Sequence, residues 1–121
     1  MEKINGLVLA KMIDLGSKNL AKNAEKINSL NVFPVPDGDT GSNMAMTLNS
    51  MITDIEEKTN EKTSMKDFIE TVEEAVLMGA RGNSGVILSQ ILRGMSKVIK
   101  HESRIDTMIM AQALKKGCDT A

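Results

Sequence analysis

Two aspartates separated by one glycine, Asp37 and Asp39, are the residues of this sequence with the clearest chemical potential. They follow Pro34 and Pro36, which fix φ and lack a backbone donor, so the segment should run extended. In extended backbone alternate side chains point the same way, and the two carboxylates can converge. Carboxylates held that close repel each other unless a cation neutralises them, and their hard oxygens suit Mg²⁺ better than Zn²⁺. The spacing therefore predicts a magnesium site.

The aspartates lead directly into a predicted helix. Gly38 and Gly41 permit positive φ and a close approach of a ligand to the backbone. Beyond Gly41, apolar residues recur at helical spacing, so first-turn N–H groups should lie beside the carboxylates. Because a helix N-terminus attracts anions, an anion site next to a cation site indicates magnesium-bound phosphate, and hence a nucleotide. The apolar positions of this helix are Met44, Leu48, Met51, Ile52 and Ile55.

Simpler explanations exist for the same aspartates. An EF-hand loop needs an oxygen-bearing side chain at its fifth position and glutamate at its twelfth, where this sequence has Gly41 and Leu48. An EF-hand is therefore excluded. Pro-Asp-Gly is also an ordinary turn sequence, and a turn alone would account for Asp37. The paired carboxylates, the two glycines and the helix start together favour the metal-phosphate site over a plain turn.

A second glycine-rich stretch, residues 79–85, also ends at a predicted helix start. Its Ser84 and Gly85 could present N–H groups to phosphate, and Arg81 could neutralise charge or lie at the surface. The stretch lacks the ending of a P-loop, and no strand precedes it, so taken alone it is more simply explained as a linker between helices. In an up-down bundle, however, the loops after the first and third helices lie at the same end. This topology predicts one site built from two loops.

Helical periodicity covers nearly the whole chain, and no segment shows the alternation of a strand, so the predicted fold class is all-α. In the first helix the apolar stripe is Ile4, Val8, Met12 and Leu15. The predicted helices run from an Asn5 cap to about Ser29, from about Gly41 to Glu57, from a Ser64–Asp67 capping box, from the end of the second glycine stretch to about Ile99, and from an Asp106 cap onward.

Composition narrows the function classes. The chain has 121 residues, 41% of them hydrophobic, and a net charge of −1, which gives no general attraction to nucleic acid. Cys118 is the single cysteine, which excludes an internal disulfide and fits a reducing cytoplasm. No apolar run is long enough for a membrane span, and His101 alone supports no nucleophilic triad. We expect a cytoplasmic protein.

Two segments carry a resemblance to a known family. Residues 30–44 (Leu-Asn-Val-Phe-Pro-Val-Pro-Asp-Gly-Asp-Thr-Gly-Ser-Asn-Met) and 79–90 (Gly-Ala-Arg-Gly-Asn-Ser-Gly-Val-Ile-Leu-Ser-Gln) resemble the nucleotide-binding domain of the dihydroxyacetone kinase L family, most closely its fatty acid kinase A branch. The resemblance implies an antiparallel barrel of eight helices with ATP or ADP and two Mg²⁺ at one rim. Residues 1–121 would be the N-terminal part of that domain, with the first five or so helices.

The same resemblance assigns residues to the site. Asp37 and Asp39 match two members of the family's acidic triad, which acts through the metals, and Asn31 stands near the position of the third at a slightly different spacing. Where the dihydroxyacetone kinase branch has histidine, this chain has Thr40, which favours the fatty acid kinase branch. The residues implied for phosphate binding are Thr40, Gly41, Ser42, Asn43, Gly82, Asn83, Ser84 and Gly85.

The implied function is a kinase that phosphorylates the carboxylate of a fatty acid held by a DegV-type binding protein, giving an acyl phosphate. This fragment alone is expected to be inactive. One alternative is a dihydroxyacetone (glycerone) kinase subunit fed by a phosphocarrier partner. An alternative of another class is a non-catalytic helical nucleotide-binding or scaffolding module, whose exposed apolar stripes would drive association, for instance into a homodimer.

Overall fold

A computed structural model of the chain describes residues 3–30 and 38–121. These residues form five α-helices: α1 (Gly6–Ser29), α2 (Thr40–Lys58), α3 (Met65–Gly79), α4 (Gly82–Ile99) and α5 (Thr107–Thr120). Within the described ranges there is no strand, and a single antiparallel bridge joins Ile4 to Ile105. The all-α prediction is confirmed. None of these helices is long and apolar enough to cross a membrane.

Three helices begin at the capping residues that the sequence predicts. Asn5 Oδ1 accepts the N–H of Val8 at 3.0 Å, and Ser64 Oγ accepts the N–H of Asp67 at 3.1 Å. Before α5, Asp106 Oδ1 likewise accepts the N–H of Ile109 at 2.9 Å. Each cap satisfies a first-turn donor that the helix itself cannot pair, which stabilises the helix by about 1 kcal/mol.

The start of α4 differs from the sequence prediction, which places residues 79–85 before the helix, as a phosphate-binding loop or a linker. The helix already begins at Gly82, so residues 82–85 are its first turn. Gly82 has a φ of 65°, a left-handed conformation that glycine adopts at little cost. The N–H of Gly85 donates to the carbonyl of Arg81 at 3.1 Å and closes the turn. Glycine-rich sequence reads as a loop, and only the backbone course shows that the helix starts there.

The core lies around α3, which packs against α1, α2 and α4. Phe68 and Val76 are fully buried, and Met51 and Ile55 of α2 pack with them. All the apolar residues that recur at helical spacing from the start of α3 are buried: Met65, Phe68, Ile69, Val72, Ala75 and Val76. Helix α5 packs against α4, where a Cβ on Gly94 would come within 2.6 Å of the carbonyl oxygen of Lys116. The close crossing of α4 and α5 therefore requires glycine.

In the first half of α1 the face that is buried is not the predicted one. Leu15 is 66% exposed, and Val8 and Met12 are also exposed, whereas Leu9 is 5% exposed and packs in the core. The first half of α1 carries apolar residues on more than one face, so periodicity alone could not choose between them. Helix α1 packs chiefly on α2, and at its first residue a Cβ on Gly6 would lie 3.3 Å from Phe68 Cβ of α3, so the buried face is the one that meets these two helices.

Candidate functional site

The N-termini of α2 and α4 meet. Ser84 Oγ donates a hydrogen bond to the carbonyl oxygen of Thr40 at 3.0 Å, across 44 positions of sequence. The first turns of the two helices therefore lie side by side, as the up-down topology predicts. Each helix N-terminus carries N–H groups with no acceptor in its own helix and the positive end of the helix dipole. Together they form a place that favours an anion.

A buried hydroxyl fixes the distance between these helices. Thr47 of α2 is fully buried; its Oγ1 accepts the backbone N–H of Arg81 at 3.0 Å and donates to the carbonyl of Asn43 at 2.8 Å. A Cβ on Gly85 would overlap Thr47 Oγ1. The missing side chain at Gly85 thus makes room for the hydroxyl that holds the start of α4. Arg81 contributes its backbone to this contact, and its side chain is exposed.

Gly82 has two independent reasons to be glycine. Its φ is in the left-handed region, and a Cβ there would overlap the side-chain amide of Asn43. The Asn43 side chain, predicted to contact phosphate, therefore lies directly over the backbone of the α4 N-terminus. Any larger residue at position 82 would push Asn43 away and separate the two helix ends.

The N-terminus of α2 is also tied to α1. The N–H of Ser42 donates to Asn28 Oδ1 at 3.0 Å, and Asn28 Nδ2 lies 2.8 Å from Ser42 Oγ as its donor. Beside this pair, Gly41 packs so tightly on α1 that a Cβ would overlap the carbonyl oxygen of Ala24. Helix α1 thereby sets where α2 begins.

The predicted metal ligands are only in part within the described residues. Asp37 and Asn31 lie outside them. Asp39 caps α2, is exposed, and accepts the N–H of Asn43 on its carbonyl at 2.9 Å. Within residues 3–30 and 38–121, no group of three or more His, Cys, Asp or Glu side chains could hold a metal. The oxygen-rich donors at this end, the Asp39 carboxylate and the nearby hydroxyls, nevertheless suit Mg²⁺.

The hydrogen bonds refine the predicted phosphate contacts. The N–H groups of Ser42, Asn43 and Gly85 are used within the protein. The hydroxyl proton of Ser84 goes to Thr40, so this side chain keeps only acceptor capacity. The candidate backbone donors to phosphate are therefore those of Thr40, Gly41 and residues 82–84.

Sequence reasoning missed two residues of this region, Asn28 and Thr47. Thr47 could have been recognised from the sequence, because it is a polar residue among the apolar positions of α2, one turn after Asn43. Asn28 could not, because a polar residue in the last turn of a helix is ordinary, and its partner is 14 positions away.

The chain is similar in sequence to a known domain family and to known proteins. The sequence model of the DAK2 domain matches residues 34–121. Uncharacterized proteins of Staphylococcus aureus strains USA300, NCTC 8325 / PS 47 and bovine RF122 / ET3-1 are each 46% identical over all 121 residues. The chain spans 22% of the length of these relatives. DAK2 domains are kinase-related and associated with nucleotide binding. On the match over most of its length, this chain belongs to the DAK2 domain family.

Proposed function

We propose that residues 1–121 are the N-terminal part of the ATP- and magnesium-binding domain of a kinase. The observation that carries this proposal is the contact of the α2 and α4 N-termini through Ser84 Oγ and the carbonyl of Thr40. Two helix ends directed at one place, with a carboxylate at the entrance of one of them, suit a phosphate group that arrives with a cation. Membership of a kinase-related family supports the same conclusion.

In the proposed site, Asp37 and Asp39 hold the metal, with Asn31 as a weaker third candidate. Magnesium would neutralise the phosphate charge and orient the groups for in-line transfer. The protein's own part is positioning: the backbone N–H groups of Thr40 and of residues 82–84 bind phosphate oxygens, while Thr47 and Gly85 keep the two helix ends at a fixed separation. Such positioning is most of what a kinase site contributes.

The proposed acceptor is the carboxylate of a fatty acid held by a DegV-type binding protein. A carboxylate oxygen forms a bond to the γ-phosphorus of ATP, the bond from that phosphorus to the bridging oxygen breaks, and ADP leaves. Thr40 supports this acceptor over dihydroxyacetone. In the family that the chain resembles, the dihydroxyacetone kinase branch has histidine at the position of Thr40. The sequence similarity of the relatives adds nothing on this point, since they are uncharacterized.

Nucleotide binding is tested by calorimetric titration of the full-length natural protein with ATP, with and without Mg²⁺. We expect Mg-dependent binding that Asp39→Asn weakens at least about tenfold, because a charge-assisted contact to the metal is lost. Asp54→Asn is the matched control on the same helix, about 22 Å along its axis, and should leave affinity unchanged. Binding that is absent, or that is indifferent to both Mg²⁺ and Asp39, would refute the proposal.

The acceptor is tested separately with γ-labelled ATP. Label should pass to a fatty acid presented by a DegV-type protein, and hydroxylamine should trap the product, because an acyl phosphate is a reactive anhydride. Transfer to dihydroxyacetone instead, from labelled ATP or from a labelled phosphocarrier protein, would assign the chain to the other kinase branch. Mg-ATP binding with transfer to neither acceptor would favour the non-catalytic module.

A further inference from the structure

The pair formed by Asn28 and Ser42 fixes the direction of a hydroxyl proton at the candidate site. A backbone N–H can only donate, so the Asn28 atom that faces the Ser42 N–H at 3.0 Å must be the amide oxygen. The Asn28 amide nitrogen is then the atom that faces Ser42 Oγ at 2.8 Å. This orientation of the amide follows from chemistry and allows no alternative assignment.

The consequence concerns Ser42. Its hydroxyl oxygen accepts a hydrogen bond from Asn28 Nδ2, so the Ser42 proton cannot point at Asn28 and must point elsewhere. A hydroxyl that accepts one hydrogen bond also becomes a better donor in the next one, because hydrogen bonds in a chain polarise each other. Ser42 lies in the first turn of α2, two residues after Thr40, whose carbonyl accepts the Ser84 hydroxyl of α4. The Ser42 proton is thus available to an acceptor other than Asn28, at the helix end that takes part in the junction.

We propose that Asn28 is a positioning residue that keeps Ser42 Oγ as a hydrogen-bond donor to a phosphate oxygen of the nucleotide. The inference rests on the proposed function and deepens it by adding a residue of α1 to the site. It also gives the two polar groups of Ser42 different roles. The backbone N–H positions α2 by donating to Asn28, and the hydroxyl group is the donor to the ligand. Ser84 is the opposite case, since its proton is already given to the carbonyl of Thr40.

The decisive variant is Asn28→Asp, which has the same shape. Its carboxylate still accepts the N–H of Ser42, so α2 keeps its place, but its second oxygen takes the Ser42 proton away from the ligand. Ser42→Ala removes the same donor directly. Asn23→Asp, also on α1 and bonded only locally to Asn19, adds the same charge without touching Ser42 and is the control.

The measurement is the affinity of the full-length protein for Mg-ATP and for adenosine, with thermal unfolding as a check of folding. Ser42→Ala and Asn28→Asp should each weaken Mg-ATP about tenfold or more and leave adenosine unchanged. The double variant Asn28→Asp/Ser42→Ala should bind Mg-ATP no more weakly than Asn28→Asp alone, because the two changes remove the same donor, the Ser42 hydroxyl. Ser42→Thr should restore most of the affinity lost in Ser42→Ala, which keeps the test valid if Asn28→Asp does not fold. Asn23→Asp should change little.

Three results would overturn the inference while leaving the proposed function standing. Wild-type protein that binds Mg-ATP while both variants bind equally well would show that the hydroxyl does not meet phosphate. Additive losses would show that Asn28→Asp acts through its charge, and an equal loss of adenosine affinity would show a purely structural role. Wild-type protein that binds no Mg-ATP would instead refute the proposed function, and this inference with it.

Discussion

At the junction of α2 and α4 the helices meet through glycines and hydroxyl groups, whereas around α3 they meet through apolar side chains. The junction depends on Gly82, Gly85 and the buried hydroxyl of Thr47. The core depends on residues such as Phe68 and Met51, both fully buried. Hydrogen bonds are directional and set positions, while apolar burial is non-directional and supplies most of the stability.

We therefore expect the core to supply stability and the junction to supply positioning. Substitutions in the core should lower the stability of the whole domain, and substitutions at the junction should displace the two helix N-termini at a smaller cost in stability. Three substitutions test the contrast, in order of decreasing expected effect.

Phe68→Ala should have the largest effect. Phe68 is fully buried in the middle of the core, and loss of such a side chain removes transfer free energy and leaves a cavity, at a cost of about 3–5 kcal/mol. The free energy of unfolding from chemical denaturation measures it. Leu77→Ala, on the same helix at 56% exposure, is the control and should cost far less. Equal losses in the two variants would contradict the placement of the core around α3.

Thr47→Val should have an intermediate effect. The shape is kept, but the N–H of Arg81 loses its acceptor, at a cost of about 1–3 kcal/mol. Thr71→Val is matched in chemistry, because the Thr71 hydroxyl bonds only within its own helix, to the carbonyl of Asp67. We expect hydrogen exchange at residues 81–85 to increase in Thr47→Val and not in Thr71→Val. Unchanged exchange at the start of α4 would show that the hydroxyl does not hold it.

Gly16→Ala should have the smallest effect and the opposite sign. No atom lies within 4 Å of a Cβ built on this exposed mid-helix glycine, so alanine should stabilise α1 by about 0.5–1 kcal/mol. Gly94→Ala is the counterpart at the tight crossing of α4 and α5. Its Cβ would lie 2.6 Å from the carbonyl oxygen of Lys116, so this substitution should destabilise the protein. Melting temperatures of the two variants should move in opposite directions. An increase in both would mean that helix propensity outweighs packing at Gly94, and a decrease in both would contradict the expected gain at Gly16.

Helices α1 and α3 show how far sequence patterns reach. From Met65 to Val76 the apolar residues of α3 lie on one face, so the periodicity identified every buried position in that range, whereas Leu77 and Met78, which follow it, are exposed. Along α1 more than one face is apolar, and the pattern favoured Val8, Met12 and Leu15, which are exposed. The two helices differ because the buried face of a helix depends on the helices that pack against it. The sequence of α1 alone does not contain that information.

The candidate site divides in the same way. Asp39, Thr40 and Ser84 could be proposed from residue type and spacing, since carboxylates, hydroxyls and helix starts have recognisable chemistry. The same reasoning placed the first turn of α4 in a loop before the helix, because glycine-rich sequence is ambiguous between a loop and a tightly packed helix end. It also gave no sign of Asn28, whose importance depends entirely on Ser42.

The sequence by itself determined where helices begin at Asn5, Ser64 and Asp106, because each cap bonds to a backbone group only three positions away. It also determined the all-α class and the buried face of α3. Only the tertiary structure decided which face of α1 is buried and which groups join α1, α2 and α4. Those bonds cross 14, 34 and 44 positions of sequence, so no local pattern encodes them. They form only when the packing of whole helices brings the groups together.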